Sequence, residues 1–64
     1  MPFDVFVDKV RILMRKAGGG IATFSHHDGR HFARFPDGTV ISGNTIAPSL
    51  WVKFRGNRTA RVTV

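Results

Sequence analysis

Residues 21–43 read IATFSHHDGRHFARFPDGTVISG. Two turn signals divide the stretch, His27-Asp28-Gly29 and Pro36-Asp37-Gly38. In the second, Pro presets φ and Gly accepts the left-handed position. The pieces IATFSH, RHFARF and TVISG are short, rich in β-branched and aromatic residues, and bounded by turns, which predicts three consecutive antiparallel strands. Gly43-Asn44 ends the third of them.

Downstream, TIAPS predicts a connector, because Pro48 lacks the donor that a central strand needs. SLWVKF and TARVTV then alternate apolar and polar residues on either side of a turn, predicting a closing hairpin and five strands in all. Leu50, Val52 and Phe54 share one face, as do Ala60, Val62 and Val64. Burying both sets together with Phe54 opposite Ala60 requires a three-residue loop, Gly56-Asn57-Arg58. That register sets Lys53 against Arg61, Trp51 against Thr63, and Arg55 against Thr59.

Upstream, FDVFVDKVRILMRKA (residues 3–17) carries apolar side chains at 3, 6, 7, 10, 13, 14 and 17, the recurrence of an amphipathic helix. Pro2 suits its start, Asp4 and Asp8 lie toward the positive end of its dipole, and Arg15 and Lys16 toward the negative end. Gly18 supplies a stop, and Gly18-Gly19-Gly20 a hinge. A phosphate-cradling glycine loop would follow a strand and precede a helix, and here the order is reversed. The chain therefore predicts one α+β domain, 1–64. Its N-terminal helix packs on a four- to five-stranded antiparallel sheet or small, partly closed barrel.

Composition narrows the function classes. With 64 residues the domain buries only about 60% of the surface its unfolded chain exposes, so a homodimer is one way to complete its core. There is no Cys, which removes disulfides and thiolate metal sites together. No stretch approaches the ~20 apolar residues of a membrane span. The opening MPFDVFVDK carries an acid where a signal peptide carries a base, so the expected location is intracellular and cytoplasmic. No Cys nucleophile, Tyr, Glu or serine elbow is present, and no cofactor motif, so the expectation is a non-enzymatic protein without cofactor. His26, His27, His31 and Asp28 cluster around one turn, but adjacent strand residues point to opposite faces, so no metal site is expected.

Ten Lys and Arg against four acids give a net charge of +6, and Arg outnumbers Lys. Arg suits phosphate and also stacks on bases. Like charges opposed on a sheet cost up to about 1 kcal/mol, so setting Lys53 against Arg61 points to an anionic partner. Trp51 on the same face would stack on a base, or else lie in the core under the helix or the TIAPS connector. The expectation is a nucleic-acid-binding β-surface, single-stranded or structured, DNA or RNA. Trp51 stacks, Lys53, Arg55, Arg58 and Arg61 contact phosphate, and Arg30 and Arg34 extend the surface. The alternative is a protein-interaction module, a small regulator or inhibitor that docks through the C-terminal edge strand or the helix.

Overall fold

A computed structural model describes residues 1–16, 18–46, 49–54 and 59–62. The elements follow in the order α1 (Phe3–Lys16), β1 (Thr23–His27), β2 (Arg30–Arg34), β3 (Val40–Asn44), β4 (Leu50–Lys53) and β5 (Thr59–Val62). All five strands form one antiparallel sheet in the order β1-β2-β3-β4-β5. The sheet is open rather than a barrel: β1 and β5 are its two ends and do not pair. With α1 packed on one face, the central apolar residues are covered without closure.

The helix starts and stops where local chemistry dictates. The carbonyl of Pro2 accepts from the Phe6 N–H at 3.0 Å, closing the first turn, with Asp4 beside the positive end of the dipole. At the other end Gly18 takes a φ of 96°, and its N–H donates to Arg15 while Gly19 N–H donates to Met14. Both bonds use carbonyls that a helix terminus leaves open. Residue 17, the last of the expected helix, lies outside the described residues.

The two predicted turns differ in construction. Asp28 and Gly29 both have positive φ, 50° and 73°, and join the pair His27↔Arg30. This is the mirror-image two-residue turn whose twist matches that of the strands. In the second, Gly38 N–H donates to Phe35 O and Phe35 N–H to Thr39 O, with Gly38 at a φ of 92°. Asp37 Oδ1 accepts from Thr39 N–H at 2.8 Å, an Asx contact that holds the turn locally.

Alternation along the strands separates the two faces. His31 and Ala33 on β2, Ile41 and Gly43 on β3, and Leu50 and Val52 on β4 are buried. Phe6 and Val10, one helical turn apart, meet them from α1 and are fully buried. Burial of side chains of this size contributes about 1.5–3 kcal/mol each. Phe3, Val7, Leu13, Met14, Phe24, Phe35 and Val62 pack around this centre. The small residues opposite the helix matter as much as the large ones. A Cβ on Gly43 would stand 3.2 Å from both Leu50 Cδ2 and Phe6 Cδ1, so the Phe6 ring occupies the space that a side chain would need.

The histidines divide by strand parity. His31 lies in the core at 2% exposure, with ring centroids 5.5 Å from Phe3 and 5.4 Å from Phe6. Its Nε2 is 2.8 Å from Met1 O. A carbonyl only accepts, so Nε2 carries the hydrogen, and the buried Nδ1 is left without a partner. His26 packs at a tilt against Phe3 on the same face, whereas His27 points the other way and meets Asp28 at 3.0 Å in an exposed pair of little energetic weight. Among the described residues no three His or Asp side chains come together as metal ligands. No helix among them is long and apolar enough to cross a membrane.

Candidate nucleic-acid interface

The face of the sheet away from α1 is built by the other parity. Across its centre runs the rung Ser25↔Phe32↔Ser42↔Trp51↔Arg61, one residue from each strand. Beside it runs Thr23↔Arg34↔Val40↔Lys53↔Thr59. On the other side lies His27↔Arg30↔Asn44. The face therefore presents two aromatic side chains, Phe32 and Trp51, among the cations Arg30, Arg34, Lys53 and Arg61. None of the five strands contains an acidic residue. Asp28 and Asp37 sit in turns, and Asp4 and Asp8 on the helix. With no carboxylate on the described strands and Asp28 at the edge of the face beside His27, these guanidinium and ammonium groups sum to a positive field over one surface.

Trp51 is 42% exposed and lies on the side opposite α1, so it is not a core residue beneath the helix. Phe32 is half-buried between Arg30 and Arg34 along β2. Between the two rings, one strand away from each, the short Ser42 side chain leaves a concavity of about 240 Å³, lined also by Arg30, Asn44 and the Gly43 backbone. Arg61 is drawn along the face by its Nε, which donates to Ser49 Oγ at 3.1 Å.

The expected register of the closing hairpin is corrected by two residues. Val52 stands opposite Ala60, not Val62; Trp51 opposite Arg61, not Thr63; and Lys53 opposite Thr59, not Arg61. Phe54 is not opposed by Ala60, and it is 51% exposed. A slip of two leaves every residue on its expected face, so alternation is blind to it. Residues 54–58 separate the last pair, in place of a three-residue loop. The longer loop costs only about 0.5 kcal/mol in closure entropy. Relief of the Lys53–Arg61 apposition, a few tenths up to about 1 kcal/mol, is of the size needed to offset that. The like-charge pair that pointed to an anion is thus absent, and the positive face must be judged on its composition.

Of the expected site residues, Trp51, Lys53, Arg61, Arg30 and Arg34 share this face. Arg55 and Arg58, and the pairing of Arg55 with Thr59, lie outside the described residues. The sequence reading overlooked Phe32 and Ser42. Their signal was present in RHFAR: residues two apart on a strand share a face, so Phe32 had to accompany Arg30 and Arg34. No family model, curated protein or solved structure matches the chain.

Proposed function

We propose that this chain is a small non-enzymatic nucleic-acid-binding protein, working inside the cell, whose binding surface is the helix-free face of the sheet. One observation carries the reading. Arg30, Arg34, Lys53 and Arg61 surround the aromatics Phe32 and Trp51 on a face whose strands hold no acid. Cations that track a phosphate backbone, combined with rings that receive bases, are the two requirements of sheet-based single-strand binding. Trp51 supplies stacking and the four cations phosphate contacts; Arg55 and Arg58 adjoin them in sequence.

Trp51 fluorescence during titration with a mixed single-stranded oligonucleotide tests this. Saturable quenching that weakens with salt is expected, with a slope of log affinity against log salt near −2.8 if all four cations engage, at about 0.7 per contact. The double variant Lys53→Glu, Arg61→Glu should bind far more weakly while remaining folded. Undiminished binding by that folded variant would overturn the proposal.

A second reading, a regulator that docks on another protein, has one observation in its favour. β5 ends the sheet, pairs only with β4, and exposes Thr59, Ala60 and Arg61. Its free backbone groups offer a template for strand addition. Recovery of one stoichiometric protein partner after nuclease treatment, by an interaction indifferent to salt, would favour it.

A further inference from the structure

The concavity between Phe32 and Trp51 has dimensions that a positively charged surface does not require. Phe32 stands on β2 and Trp51 on β4, on the same rung, with β3 between them. Two strand spacings separate their backbones by about 9.6 Å. Side chains stand roughly perpendicular to a sheet, so the rings form two walls. Between them Ser42 is among the smallest side chains the rung could carry, and Gly43 beside it offers only backbone to the floor. Aromatic pairs settle with centroids about 4.5–7 Å apart, so one flat ring held between two others requires walls roughly 9–14 Å apart. The backbone spacing of the two strands falls at the close end of that range.

We infer that this concavity is a nucleobase slot, in which one unpaired base of a single-stranded nucleic acid lies between Phe32 and Trp51, over the Ser42 hydroxyl. The inference rests on the nucleic-acid reading above and deepens it: the ligand is an unpaired strand, not a duplex, and the aromatics act as a pair. A paired base is stacked within its helix and presents only an edge, so a duplex cannot fill the slot. Arg30, at the mouth, is placed to meet the phosphate or sugar of the inserted nucleotide. The Asn44 side-chain oxygen already accepts from Ile46 N–H, and that bond fixes the end of the floor. A hydroxyl donates or accepts, so Ser42 serves either kind of base edge and the slot is tolerant of base identity. The cations around it lie far enough apart to follow a backbone that passes over the face. Arg30 and Arg34 are four residues apart on β2, about 13 Å.

The decisive comparison is between a single-stranded homopolymeric oligonucleotide and an abasic phosphodiester of equal length, titrated against the intact protein. Ribo- and deoxyribo-forms are run side by side, with a duplex as a further arm. The expected result is that the base-bearing strand binds roughly 5- to 150-fold tighter than the abasic one, the value of stacking one base. The two should have the same salt slope, because the phosphate contacts are shared. Only the base-bearing strand should quench Trp51, and the duplex should gain nothing over the abasic polymer. Phe32→Leu removes one wall, and Ser42→Leu fills the floor, neither changing the charge of the face. Each should erase the base-dependent gain, while the salt slope set by the cations stays the same. A gain in either sugar series supports the slot, and the larger gain names the polymer. Equal binding of base-bearing and abasic strands overturns the slot while leaving phosphate binding intact. So does a gain that survives Ser42→Leu. Failure of both polymers to bind removes the nucleic-acid reading, and the slot with it.

Discussion

Gly43→Ala places a single methyl group at a close contact between the helix and the sheet. Gly43 lies on the buried face of β3 opposite His31, and its backbone also floors the concavity on the other side. The added Cβ would meet Leu50 Cδ2 at 3.2 Å, Phe6 Cδ1 at 3.2 Å and Phe6 Cε1 at 3.4 Å. Carbon atoms pack best at about 3.5–4.0 Å, so each neighbour must retreat by a few tenths of an ångström. Both are enclosed, Phe6 at 0% and Leu50 at 1% exposure, so neither can move out into solvent to make room. Overpacking of this kind costs about 1–3 kcal/mol. Gly43 is not in a left-handed conformation, so the substitution also restricts the unfolded chain, offsetting about 0.4–1 kcal/mol. The net expectation is a loss of up to about 2.6 kcal/mol, centred near 1 kcal/mol. In urea, with an m-value near 1 kcal/mol/M for a chain this small, the midpoint should fall by about 1 M. Heating should lower Tm by roughly 4–8 °C per kcal/mol. Phe6→Leu on the Gly43→Ala background withdraws the ring carbons that clash, so the pair should couple favourably by at least about 0.5 kcal/mol. A Gly43→Ala variant more stable than the wild type would refute the close helix–sheet contact on which the core is built.

Substitutions at two further positions test the hairpin turns. Asp28 holds a φ of 50°, so Asp28→Val should destabilise by about 1–2 kcal/mol, while Asp28→Asn should be neutral or stabilising; thermal melts of the two variants distinguish them. Asp37→Ala deletes the acceptor for Thr39 N–H in an exposed turn, and should cost about 0.5–1.5 kcal/mol by urea titration.

Much of the architecture was legible because it depends on neighbours in the chain. The apolar recurrence from Phe3 to Met14 specified a helix, Gly18 its end, and Asp28-Gly29 and Pro36-Asp37-Gly38 the hairpins. The site was legible to the extent that parity governs it. Arg30, Arg34, Trp51, Lys53 and Arg61 all fall on one face because each strand alternates. The hairpin register was not legible, since a two-residue slip preserves that alternation. The roles of the histidines were only half legible. Parity separates His26 from His27, but nothing in HHDGRH says that His31 will be enclosed by Phe3 and Phe6 and bonded to Met1 O.

The sequence by itself determined the elements, their order, the two faces of every strand and the excess of positive charge, because these follow from local periodicity, turn chemistry and composition. Tertiary structure alone decided which face the helix covers. It thereby left Trp51 outside the core, set it opposite Arg61, and opened a space over Ser42 between it and Phe32. The physical reason is distance along the chain. Phe32, Ser42 and Trp51 are separated by turns and a connector, and only the hydrogen-bonded register of three strands brings them onto one rung.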